Sequence, residues 1–177
     1  MNWSRAFVEL DTTVHNRKSF DCGKEELNLF FYTRAARHME TGISTTMVLP
    51  AAEDLSDPLT PVCAFYTITP GAISRETLPN QMSKKLPLYP VPIFLLAQLA
   101  VHQHCQGQGL GKITLIKALE KLWQINAYMR AYAVLVDCLD DEAEQFYTMY
   151  GFEALTTHHG RTRMFLPMTV VGQLFQQ

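Results

Sequence analysis

LAVHQHCQGQGLGK, residues Leu99 to Lys112, is the stretch from which the rest of the chain is read. The near-continuously apolar run Phe94 to Val101 predicts a central buried strand. It leads into glycines at 107, 109 and 111, and Leu110 then opens a helix. Glycine lets a backbone approach a ligand closely and turn its N–H groups outward. A helix N-terminus behind such a loop adds partial positive charge, which suits a phosphate or pyrophosphate. Taken alone, the loop also fits a glycine-rich turn that merely starts a helix. Two common phosphate loops are excluded. A Walker A loop needs a hydroxyl after Gly-Lys, and here Gly111-Lys112 is followed by Ile113. A dinucleotide GxGxxG needs its third glycine one place later than Gly111.

Outward from this centre the order is mixed α/β. On the N-terminal side we expect a strand over 4–10, a helix from Lys24 to about His38, and strands over 43–49 and 62–69. The acidic stretch 51–61 reads as a loop, in which Glu53, Asp54 and Asp57 are a solvated cluster or an attraction for a polyamine. Prolines at 70, 79, 87 and 90 leave room only for short helical pieces between 70 and 90. On the C-terminal side, 110–125 is an amphipathic helix with Ile113, Ile116, Leu119, Leu122 and Trp123 apolar. A short strand follows over 132–136. Asp140 is placed to cap a helix ending near Tyr150, with Gly151 just beyond it, and 162–167 makes a last strand.

The 177 residues suit one compact domain, 1–177. No apolar run reaches the roughly 18 residues needed to span a bilayer, and the first residues lack a secretory h-region. A cytoplasmic protein with no membrane contact is expected. Cys22, Cys63, Cys105 and Cys138 show no metal-ligand spacing and read as buried free thiols. A net charge of −2 argues against a nucleic-acid coat protein while leaving room for a local basic patch.

Two motifs stand in order. Gln106-Gly107-Gln108-Gly109-Leu110-Gly111 matches (Q/R)xxGxG/A, and Ala143 to Phe152, AEQFYTMYGF, matches AxxFYxxxGF. On these the chain resembles the GNAT superfamily of N-acetyltransferases. The resemblance implies an α/β (α+β mixed) fold with a central, mostly antiparallel twisted sheet of about six to seven strands flanked by helices. It implies acetyl-CoA as cosubstrate and no metal. The loop Gln106 to Gly111 with Lys112 would hold the CoA pyrophosphate, and the main chain of Leu99, Ala100 and Val101 the pantetheine arm. Tyr147 would be catalytic, as the acid for the CoA thiolate; a phenol of ordinary pKa about 10 is protonated at neutral pH. A main-chain N–H near Val101 would polarise the thioester oxygen. No general base stands out, and His102 and His104 read as solvent-exposed loop histidines.

A narrower resemblance rests on Phe20 to Phe31 (FDCGKEELNLFF), on Tyr89-Pro90-Val91-Pro92, and on the Tyr147 motif. These are similar to the TacT-like toxins of toxin–antitoxin modules. It implies aminoacyl-tRNA as substrate, a ribbon–helix–helix antitoxin as partner, and leaves a homodimer open. Where those relatives have Arg-Leu-Ala-Val-Asp, this chain has Gln98-Leu99-Ala100-Val101-His102. Candidate phosphate contacts are Arg34, Arg37, Lys84 and Lys85, with Arg75, Arg161 and Arg163 behind them. The alternative within the superfamily is acetylation of a small amine or a peptide N-terminus. A CoA-binding module without turnover is disfavoured by the intact Tyr147.

Overall fold

The structure is a computed structural model, and it describes residues 1–52 and 58–176. Glu53, Asp54 and Asp57 lie outside the described residues. The strands are β1 (Val8–Glu9), β2 (His15–Asn16), β3 (Thr45–Pro50), β4 (Thr60–Ile73), β5 (Val91–Val101), β6 (Ala133–Asp137), β7 (Glu153–His158) and β8 (Arg161–Pro167). The helices are α1 (Glu25–Thr33), α2 (Ala35–Glu40), α3 (Asn80–Ser83), α4 (Leu110–Asn126), α5 (Asp141–Met149) and α6 (Met168–Phe175). The strands form one sheet, hydrogen-bonded in the order β1-β3-β4-β5-β6-β8-β7, with β2 joined to β4. Among the described pairings other than β4–β5, four are antiparallel (β1–β3, β3–β4, β6–β8, β7–β8) and two are parallel (β2–β4, β5–β6). The mixed α/β, mostly antiparallel expectation is met.

The chain divides into two compact units. The first comprises Met1–Thr69 and Ala97–Ala118. Here β1 pairs with β3 only at Val8 and Glu9, shorter than the expected 4–10 strand. The helix expected over 24–38 is two helices. Arg34 interrupts it with φ −117°, far from the helical value, although Arg34 N–H still donates to Phe30 O at 2.9 Å. The core is aromatic: Phe31 stacks on Phe65 at 4.4 Å between ring centroids, and Phe20 meets both edge-on at 5.0 and 5.2 Å. A second cluster joins Leu49, Cys63, Ala64, Val101, Cys105 and Leu110. This cluster seats the glycine loop, because Leu110 is its anchor.

The second unit comprises Pro70–Leu96 and Leu119–Gln177. Strand β5 pairs in parallel with β6 at Phe94↔Val134 and Leu95↔Leu135. Strand β6 pairs with β8 from Ala133↔Pro167 to Asp137↔Arg163. The hairpin β7–β8 turns at His159 and Gly160, with φ of 48° and 75°, the two left-handed residues of a tight hairpin turn. α6 lies against Trp123 through Gly172, where an added Cβ would sit 2.7 Å from the indole. Two elements of this unit, β7 and α6, go beyond the sequence reading, as β2 does in the first. Between 70 and 90 the structure has the expected short pieces, a 3₁₀ turn at Arg75–Thr77 and the four-residue α3. The apolar face expected for α4 is corrected in part. Leu119 and Leu122 are buried with Leu115 and Ala118, whereas Ile113 and Ile116 are exposed.

Candidate functional site

The loop after β5 is held open by its own backbone. Gly107 and Gly109 sit at φ 75° and 79°, where an L side chain is strained, and an added Cβ on either would meet nothing within 4 Å. Glycine is therefore needed here for conformation, with clear space above it. Among the described residues, none of the backbone N–H groups from Gly107 to Lys112 has a hydrogen-bond partner. They stand at the N-terminus of α4, where unpaired donors and the helix dipole favour an anion. Lys112 is exposed in the same first turn. Donors, field and clearance fit a pyrophosphate. Ala100 and Val101 of β5 are buried just before the loop, and Leu99 is half-buried.

A network of side chains fixes this loop to the N-terminal segment. Gln106 donates from Nε2 to the carbonyls of Val101 at 2.8 Å and Cys22 at 3.0 Å. Gln103 donates its backbone N–H to Asp21 O at 2.9 Å and its Nε2 to Asp21 Oδ2 at 2.6 Å. The other Asp21 oxygen accepts from Gly23 N at 2.8 Å and Asn28 Nδ2 at 2.8 Å. The Gly23 N–H, then the Asn28 amide, hold the Asp21 carboxyl below its ordinary range. Asp21, Asn28 and Gln103 support the candidate site, and the sequence reading missed them. Their signal lay in the Phe20 to Phe31 run, where attention went to its phenylalanines and Cys22-Gly23.

His102 is corrected. It is buried, stacks edge-on to Phe20 at 5.7 Å, and caps the 3₁₀ turn by accepting the His104 N–H on Nδ1 at 3.1 Å. With Nδ1 an acceptor, Nε2 carries the proton and donates to Ser19 O at 3.2 Å. Burial lowers its pKa, so it is a neutral structural side chain. His104 is exposed, as expected.

In the second unit, Asp140 caps α5 by accepting the Ala143 N–H at 2.9 Å, and Gly151 beyond its end has φ 89°. The helix presents Tyr147, buried and ringed by Phe146 and Phe152 at 5.2 Å each. Desolvation raises the Tyr147 pKa above the ordinary phenol value, with Cys138 adding to it. Cys138 is itself buried and pushed up to about 11, by desolvation first and then by Glu144, Asp137 and Asp140. All four cysteines are free and buried.

The candidate cations separate into two kinds. Arg163 is committed to Asp137, its cross-strand partner, by bonds of 2.7 and 2.8 Å. Arg75 is turned inward onto the carbonyls of Leu86 and Ser83. Neither is available to phosphate, and both are corrected. Arg161 is half-buried and already engaged. Arg34 and Arg37 in the first unit, and Lys84 and Lys85 in the second, are exposed.

Comparison with known proteins gives this geometry a context. Residues 94–170 match the model of the acetyltransferase (GNAT) domain. A tRNA-acetylating toxin of Mycobacterium tuberculosis is 31% identical over 140 residues, covering 78% of this chain and 79% of its own. A structure of AtaT complexed with acetyl-methionyl-tRNAfMet superposes with TM-score 0.83 at 27% identity, over 96% of this chain and 98% of that one. A structure of AtaTR bound with AcCoA gives 0.79 at 25% identity, over 96% and 97%.

Proposed function

We infer that this chain, which belongs to the GNAT acetyltransferases and is an acetyl-CoA-dependent N-acetyltransferase, acts on the α-amino group of aminoacyl-tRNA as the toxin of a toxin–antitoxin module. The substrate assignment is carried by the likeness to the mycobacterial tRNA-acetylating toxin over most of both chains. The loop geometry supports the cosubstrate: six consecutive free N–H groups, Gly107 to Lys112, suit a pyrophosphate. Residues 1–177 would act as one catalytic domain, in the cytoplasm where charged tRNA is found, with a ribbon–helix–helix antitoxin as the partner.

Acetyl-CoA supplies the acetyl group as a thioester. The neutral amine forms the new C–N bond, the C–S bond breaks, and the nitrogen sheds a proton to water. Tyr147 gives its proton to the departing sulfur and regains one from solvent. Burial keeps Tyr147 protonated well beyond neutral pH, so the donor form is always present. An α-amino group of pKa about 8 is partly neutral at working pH, and a protein base is not required. Gln106, through Val101 O, couples the loop to the strand end whose main chain would receive the pantetheine arm.

Expression without a partner tests the toxin reading. Wild type should arrest growth and Tyr147→Phe, produced at the same level, should not. Equal growth of cells making the wild-type and Tyr147→Phe proteins would overturn the reading.

A further inference from the structure

The segment from Ser74 to Pro90, which joins β4 to β5, is pinned from within. Arg75 donates from Nη1 to Leu86 O at 2.8 Å and to Ser83 O at 3.4 Å. Successive backbone bonds, from Met82 N to Pro79 O through Leu86 N to Ser83 O, keep the segment wound. On its inner side Leu78, Met82 and Leu86 pack against Ile73, Val91, Ile93 and Phe165. Its outer side is different in kind. Leu88 is 80% exposed and Tyr89 68% exposed, and Lys84 and Lys85, a few residues before them in the chain, are exposed too. Among the described residues the two lysine side chains make no ion pair or hydrogen bond, and the Tyr89 ring contacts no other ring. The sequence from Thr77 to Leu119 contains four lysines and no carboxylate, in a chain whose net charge is −2.

An exposed aromatic ring beside unpaired cations, on a segment ordered in advance, matches what single-stranded nucleic acid needs. Bases stack on rings without regard to sequence, and lysines meet phosphates. An ordered backbone spares the complex the entropy of fixing a loop. We infer that the Lys84–Tyr89 face is the docking surface for the single-stranded acceptor end of the tRNA, with Tyr89 stacking on a base and Lys84 and Lys85 contacting phosphates. Arg75 is a positioning residue that shapes this face without touching RNA. The inference rests on the tRNA reading above.

Steady-state acetylation of charged tRNA at several salt concentrations tests it, using the full chain, Tyr89→Ala, Tyr89→Phe, and a double Lys84→Ala/Lys85→Ala variant. Tyr89→Ala should raise the KM for charged tRNA about tenfold, and Tyr89→Phe should restore it, because stacking needs only the ring. The double lysine variant should lower the slope of log KM against log salt by about 1.4, for two single-strand phosphates. In every variant kcat and the KM for acetyl-CoA should stay within about twofold of wild type, as binding-only losses require. If wild type acetylates charged tRNA and the variants leave its KM and salt slope unchanged, the docking surface is wrong. If wild type labels no charged tRNA at all, the function reading fails, and this inference falls with it.

Discussion

Tyr147 is where burial and the proposed chemistry meet. Its ring is packed like a core aromatic, yet a buried phenol raised above its ordinary pKa is also a proton donor that never ionises at neutral pH. Tyr147→Phe separates the two roles, since it keeps the ring and removes the proton. We expect turnover to fall about 10²-fold or more while acetyl-CoA affinity and Tm hold. Turnover within a few-fold of wild type would reduce Tyr147 to packing. His102 makes the opposite point. Its place beside the loop suggested solvent, but its hydrogen bond to Ser19 joins segments 83 residues apart, whose meeting no local pattern reveals. Desolvation lowers the pKa of His102 and of His15 from 6.5, so the unfolded chain takes up protons first as pH falls. Stability from this source is whole above about pH 6.5 and declines below it. Tm should drop between pH 7 and pH 5.5, and His102→Gln should shrink that drop. An equal drop in the variant would contradict the buried neutral state.

Two elements carry the glycine loop, and they were legible to different degrees. The strand, the glycines and the start of α4 were readable from periodicity and punctuation, as was the Asp140 cap of α5. What local pattern does not show is that the segment around Asp21 is bound to the loop through Gln103 and Gln106, more than 80 residues away in sequence. Strand β7 escaped because EALTTH is an edge strand, largely exposed and lacking apolar alternation. The loop itself predicts a clean variant. Gly109→Ala meets no neighbour but must hold φ near 79°, which costs about 1–2 kcal/mol. Acetyl-CoA affinity should fall about tenfold in a calorimetric titration, with Tm lowered by no more than the several degrees that strain of this size costs; undiminished binding would remove the loop from the site. Asp21→Ala frees Gln103 and Asn28, and should raise the KM for acetyl-CoA several-fold while leaving the KM for charged tRNA alone. Equal rises in both would point to general loosening instead.

For the whole molecule, composition gave the wrong impression of charge. A net of −2 hides a stretch from 77 to 119 without a carboxylate, which holds the glycine loop as well as Lys84 and Lys85. Nor does any linear pattern mark the two compact units, since β4, β5 and α4 each run through both. Substrate choice belongs at this level, because loop and tyrosine would serve any amine that reached them. Phosphate contacts should make acetylation of charged tRNA fall steeply between about 50 and 200 mM salt, unlike that of a small neutral amine. The most direct measurement incubates purified protein with labelled acetyl-CoA and either charged or deacylated tRNA, then digests with nuclease and looks for acetyl-aminoacyl-adenosine. Label on the aminoacyl group of charged tRNA, with none on deacylated tRNA, is the predicted result. No label on charged tRNA, while a polyamine or a peptide N-terminus is acetylated efficiently, would contradict the account.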